Sequence, residues 1–177
     1  FATSTTALSA SDISNNALPT TLGGVSVSIN SKAAYVQYVS PTQVNVLAPA
    51  DTSTGQVAIT VTNSAGTSNT ITATMLPVMP GLSVLSNYVR AVRYPDGAVI
   101  NGTGSAEPGY AVSAAVAPGD AIALYGTGFG PVQGNAPVGT VFSGAYQTTS
   151  NVTVRIGDVD AEVLWAGLIG PGLYQLN

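Results

Sequence analysis

Few side chains in this sequence could do chemistry, and the two most versatile kinds are missing. The chain has no histidine and no cysteine. That removes the usual general base near neutral pH, the commonest transition-metal ligand, thiol catalysis and every disulfide. Three patterns remain to be weighed. Gly126-Thr127-Gly128-Phe129-Gly130 has the glycine density of a phosphate loop. It lacks the GxGxxG spacing, and Pro131 directly after it opens no helix whose N-terminus would hold a phosphate. A bend at a strand end accounts for it better. Asp51-Thr52-Ser53 resembles an aspartic-protease triplet, but that chemistry needs two carboxylates sharing a proton, and no partner triplet exists. Asp51 reads as a turn residue. Asp158, Asp160 and Glu162 alternate, so a strand would point them one way, toward a calcium ion. The glycine and terminal glutamate of an EF-hand-like ligand series are absent, which favours a solvated strand face or turn.

Lys32 is the only lysine, and with a nearby Asn or Asp it would have the chemistry for an internal isopeptide crosslink. It falls in a turn, however, where such a lysine should lie buried on a strand. Trp165 and the eight tyrosines offer rings for sugar stacking. Tyr38 and Trp165 fall on the apolar phase of their strands and are expected in the core, whereas Tyr88, Tyr94, Tyr110 and Tyr146 lie outside that pattern. Asn101-Gly102-Thr103 and Asn151-Val152-Thr153 fit the glycosylation acceptor pattern. No catalytic, cofactor-binding or metal-binding residue is assigned, and the chain is not expected to be an enzyme.

The composition points the same way. Charged residues make up 7% of the 177, against roughly 25% in an average soluble domain. Their place is taken by Ser, Thr, Asn and 20 glycines, the balance of an extracellular all-β protein. The net charge of −4 rests on only four basic residues, Lys32, Arg90, Arg93 and Arg155. With no basic stripe to neutralise phosphates, nucleic acid is excluded as a partner. No apolar run approaches the ~20 residues needed to cross a bilayer as a helix.

The elements that position these residues are strands. Residues 1–21 are polar and small and read as a loop or extended segment with at most one short strand. Val25, Val27 and Ile29 then alternate with serines; Ala34, Val36 and Tyr38 follow after an Asn30-Ser31-Lys32 turn. Gln43–Leu47, Gln56–Asn63 and Thr67–Met75 are the next strands, the last two forming a hairpin about Asn63-Ser64-Ala65-Gly66. Pro95-Asp96-Gly97 turns a second hairpin, Asn101–Ser105 is a flexible loop, and Tyr110–Val116 is a further strand. The run from Ala117 to Gly130 is a strand entered by a Pro-Gly-Asp turn. Asn151–Gly157, Ala161–Trp165 and Leu173–Asn177 complete the set.

Two stretches are copies of each other. VSVSINSKAAYVQY (25–38) and VTVRIGDVDAEVLW (152–165) align without a gap, and Thr42-Gln43-Val44-Asn45 meets Tyr174-Gln175-Leu176-Asn177 after an insertion. Agreement of alternation, turn, aromatic position and ending makes this a duplication. The first copy lacks a counterpart of PGDAIALYGTG, and the second lacks one of 46–76. Each copy is therefore expected to be incomplete, at opposite ends, and to expose unpaired strand edges.

These stretches, with LPTTLGGVSVSINSKAAYVQYVSPTQVNVLAP and PGDAIALYGTGFGP, resemble an uncharacterised domain family of secreted acidobacterial proteins. The glycine-rich opening also resembles the first strand of IPT/TIG domains. The resemblance runs from Leu18 to Asn177 and implies immunoglobulin-like sandwiches, with no catalytic residues to carry over. The expected fold is all-β, with two such units in tandem: 1–80, lacking its first strand, and 117–177, lacking its last strands. A hairpin-bearing connector, 81–116, joins them. The expected role is a non-catalytic structural subunit of the cell surface or an extracellular fibre. Its copies would associate head to tail by strand complementation. The alternative is an adhesion or carbohydrate-binding module of a longer secreted protein, with surface glycans as partners.

Overall fold

The computed structural model of the chain describes residues 1–85, 88–100 and 116–177. Among them every strand pairing is antiparallel and no α-helix occurs. The chain divides into two units, Phe1–Pro77 with Pro137–Phe142, and Val78–Ala136 with Ser143–Asn177.

Unit 1 is a sandwich of two sheets. Strands β1 (Thr6–Ala7), β5 (Tyr35–Val39) and β6 (Val44–Leu47) form one sheet, in the order β1-β5-β6. The other contains β2 (Thr21–Leu22), β3 (Val25–Ile29), β4 (Lys32–Ala33), β7 (Gly55–Asn63), β8 (Gly66–Thr67) and β9 (Ile71–Met75). β3 is its centre, with β2 and β4 on one side and the long β7 on the other. Alternation buries both Val25 and Val27, and Val25 meets Leu22, Val36 and Val39 in a buried cluster. The Asn30-Ser31 turn between β3 and β4 has both residues at positive φ, 51° and 63°, as a tight hairpin turn requires.

One expectation fails here for an identifiable reason. The register of β5 against β6 slips between Val36 and Tyr38, a bulge that adds a residue to β5. Beyond it the inward position passes to Val39, which is 0% exposed, and Tyr38 is only half-buried.

Residues 137–142 complete unit 1. The Leu18 amide donates to the Gly139 carbonyl at 2.8 Å, and the Val141 amide donates to that of Asn16 at 2.7 Å. Gly139 lies at φ +67° against the Tyr35 ring, and a Cβ there would overlap it.

Unit 2 has one large sheet. Its strands are β10 (Gly81–Leu82), β13 (Ala91–Arg93), β14 (Val99–Ile100), β15 (Ile122–Thr127), β16 (Tyr146–Gln147), β19 (Ala166–Gly170) and β20 (Leu173–Leu176). They run in the order β14-β13-β15-β20-β19-β16, with β10 on β15. Gly81–Leu82, Ala91–Arg93 and Val99–Ile100, from the stretch expected as a connector, are thus strands of this sheet. β13 and β14 form the expected hairpin about Pro95-Asp96-Gly97. Two separate hairpins lie outside it, β11 (Val84–Leu85) with β12 (Tyr88–Val89), and β17 (Val154–Ile156) with β18 (Val159–Ala161). The core gathers Ala91, Leu124, Phe129, Ala166 and Leu176 from the sheet side, with Val152, Val154 and Val163 packed against it.

Matched positions of the duplication give a direct test of these burials. Val36 is 0% exposed, whereas its counterpart Val163 is half-buried. Val36→Ala is expected to cost about 2–3 kcal/mol by loss of buried methyls and the cavity they leave. Val163→Ala should cost under about 1 kcal/mol. Urea unfolding of the two variants measures the difference.

Candidate functional site

The two copies keep the same internal register. Ser28 opposite Ala33 and Ile29 opposite Lys32 in β3–β4 recur as Arg155 opposite Asp160 and Ile156 opposite Val159 in β17–β18. Val39 opposite Val44 recurs as Ala166 opposite Leu176. What differs is the cover. In unit 1 the second edge of β3 carries β7, from Ser26 opposite Thr62 to Ile29 opposite Ile59. Among the described residues β17 pairs with β18 alone. The converse holds at the other sheet, where β15 pairs with β20 but β6 has no strand beyond it.

The consequence in unit 2 is an open apolar cleft of about 880 Å³ between the sheet and the β17–β18 hairpin. Ile122, Leu124 and Leu176 form its floor, and Val154, Ile156 and Val159 one wall. Side chains that are buried in unit 1 have counterparts that are less covered here. Val25 and Val27 are buried while Val152 and Val154 are half-buried, and Ile156 is 55% exposed.

The sequence reading missed two residues of this surface. Val159 and Leu164 are 70% and 68% exposed. They stand where the first copy has Lys32 and Gln37. Apolar side chains on the solvent phase of a strand, at positions where the duplicate is polar, are the signal that would have found them.

The residues singled out for chemistry are accounted for locally. Gly126 and Gly128 accommodate the neighbouring chain: a Cβ on Gly126 would meet the Gly81 carbonyl, and one on Gly128 that of Met79. The Met79 amide donates to the Gly128 carbonyl at 2.9 Å. The Phe129 ring packs on Tyr174, 5.8 Å between centroids, and the Tyr174 hydroxyl donates to the Gly130 carbonyl at 2.5 Å. The glycine run is a packing seam. Among the described residues no group of three or more acidic side chains converges on a metal position. Asp160 lies 3.6 Å from Arg155 across the hairpin, with its side chain 91% exposed. Trp165 is half-buried, its ring lying over Gly167, outside the buried cluster it was expected to join. Tyr88 and Tyr94 are about half exposed and Tyr146 is half-buried, while Tyr110 and Asn101 fall outside the described residues. Asn151 is exposed ahead of β17.

Asp51 departs most from its expectation. It lies in a loop, but its side chain is only 3% exposed, and Lys32 Nζ approaches Oδ1 at 3.2 Å. The Ser53 amide donates to Oδ1 at 3.0 Å and Asn30 Nδ2 to Oδ2 at 2.8 Å. These donors, the Ser53 amide foremost, hold the carboxyl well below the ordinary aspartate range. An ionised carboxylate does not accept attack by an amine, so Lys32 and Asp51 form an ion pair and not a crosslink. The cluster ties the β3–β4 turn to the loop that leads into β7.

No family model, curated protein or solved structure matches the chain.

The pH dependence of unit 1 follows from Asp51. A carboxyl whose folded value is depressed contributes stability that is fully present above its unfolded value. That contribution is lost as pH falls from about 4 downward. Thermal melts of Asp51→Asn are expected to be less stable than the parent at pH 7. Between pH 4 and 2 they should show a shallower decline.

Proposed function

We propose that the chain is a non-catalytic structural subunit of the cell surface or of an extracellular fibre, whose copies associate head to tail by strand complementation. The observation that carries this reading is the β17 edge, which among the described residues has no partner but β18, and its cleft, set beside a matching strand, β3, whose corresponding edge is paired with β7. A strand with an apolar inner face and an unpaired edge is a template for another chain, because main-chain hydrogen bonds give affinity along the whole contact. The acceptor in unit 2 has no counterpart in unit 1, so a contact through it joins unlike surfaces. Such contacts propagate unless the rotation closes a ring. The immunoglobulin-like character of the two sandwiches, their tandem order and the extracellular setting belong to the same proposal. They are supported by the resemblance, the sparse charge and the absence of cysteine and histidine chemistry.

Tyr94 keeps the adhesion alternative in play, because it is 47% exposed and lines the same cleft. Binding on a glycan array that is lost in Tyr94→Ala would favour that module over the fibre subunit. For the leading reading, light scattering after size exclusion should show mass rising with concentration, and micrographs should show linear assemblies. Ile156→Lys, at a position already 55% exposed, should leave the circular dichroism unchanged and abolish the assembly. A parent chain that stays monomeric at every concentration would refute the proposal.

A further inference from the structure

We propose that unit 2 carries a subsite for a neutral pyranose, formed by the Trp165 ring and the polar side chains around it. The inference needs no second copy, so it stands apart from strand complementation, and it places sugar binding elsewhere than at Tyr94. A second cleft of unit 2, of about 490 Å³, is lined by Trp165 together with Gln147, Asn151, Thr153 and Asp160. That volume falls within the roughly 300–1,000 Å³ of small-molecule sites. Both sides of it are held in place. The Asn177 amide donates to the Trp165 carbonyl at 2.8 Å. The indole rests against Gly167, where a Cβ would overlap Cζ2 and Cη2. Buried Thr148 anchors the turn that leads to Asn151, its hydroxyl reaching the Ser150 carbonyl at 3.0 Å and the Ala166 carbonyl at 3.3 Å. A site fixed before its ligand arrives spends little affinity on ordering side chains.

The side chains themselves select the ligand. Among the described residues those of Gln147, Asn151, Thr153 and Trp165 make no hydrogen bond, so two amides, a hydroxyl and an indole N–H keep their full capacity. A half-buried indole beside such groups matches a sugar ring, whose C–H face is apolar and whose rim carries hydroxyls that both donate and accept. The lining includes the Asp160 carboxylate and no basic side chain. A carboxylated or phosphorylated sugar would therefore meet a like charge, and a neutral one would not. The first copy serves as a control. Asn151, Thr153, Asp160 and Trp165 stand where it has Gly24, Ser26, Ala33 and Tyr38. There the amide and the carboxylate are missing, and β7 lies along the edge, with Ser26 opposite Thr62. The second copy thus gathers hydrogen-bonding groups at the place where its duplicate packs a strand.

Trp165 is the only tryptophan of the chain, so its fluorescence reports on this cleft alone. The full chain is titrated with neutral disaccharides of gluco, galacto and manno configuration, and with sialyllactose as the anionic control. At least one neutral sugar is expected to shift the emission saturably, and sialyllactose to leave it unchanged. Gln147→Ala and Asn151→Ala remove exposed side chains that bond to nothing in the chain. Each should preserve the circular dichroism and weaken binding about tenfold, the worth of a lost hydrogen bond. The absence of a saturable shift with every neutral sugar overturns the inference. So does a shift that both variants leave intact. Sugar binding that survives Asn151→Ala and is lost in Tyr94→Ala places the ligand in the apolar cleft, and this subsite then fails while a carbohydrate-binding module survives.

Discussion

A β-strand makes two demands at once, a partner along each edge and a cover over its apolar face. In unit 1 both demands of β3 are met. β7 supplies the hydrogen-bonding edge from Ser26 to Ile29, and Val36 and Val39 of β5, in the other sheet, supply the apolar cover over Val25. Much of that unit hangs on these contacts: the buried valines of β3, the loop carrying Asp51, and the β9 strand that extends the sheet. The β17–β18 hairpin, built to the same register, has the first copy's needs without the first copy's solution. The two hairpins share a register and differ, among the described residues, in the strand that pairs beside them.

That comparison also explains the charged residues. Several of the few charged residues are placed against a specific neighbour. Lys32 holds Asp51, and Arg93 binds Asp96 at 2.6 Å and lies 3.9 Å from Asp120. Arg155 faces Asp160. Arg93 draws the Asp96 carboxyl below its usual range, which fixes the turn between β13 and β14. Their common work is to hold turns and loop entries in place.

Much of the architecture was legible because alternation is a strong signal. Val25, Val27 and Ile29 announced β3, and Gln56–Asn63 with Thr67–Met75 announced the long hairpin, whose return strand is divided into β8 and β9. The likeness of 25–38 to 152–165 was legible too, and the β3–β4 pairs recur in β17–β18. What the pattern could not reveal was anything decided by partners far away in sequence. The bulge at Gln37 exchanged Tyr38 for Val39 because the extra residue is set by pairing with β6. Asp51 looked like any polar loop residue, since its burial comes with Asn30 and Lys32 of the β3–β4 turn, some twenty residues earlier in the chain. The stretch read as a connector joined the large sheet because Ala91–Arg93 found an edge on Ile122–Leu124. The cleft itself is a property of two elements that fail to meet, which no local pattern encodes.

The return of Pro137–Phe142 to unit 1 bears on how the chain can be made. Leu18 and Asn16 find hydrogen-bond partners only in residues translated long after the rest of their sandwich. Tyr35 lies against Gly139, from that same late segment. Unit 1 therefore cannot finish folding on the ribosome until most of unit 2 has been synthesised. A cut after Pro77, the obvious place to separate the halves, would strip the first sandwich of one of its own walls.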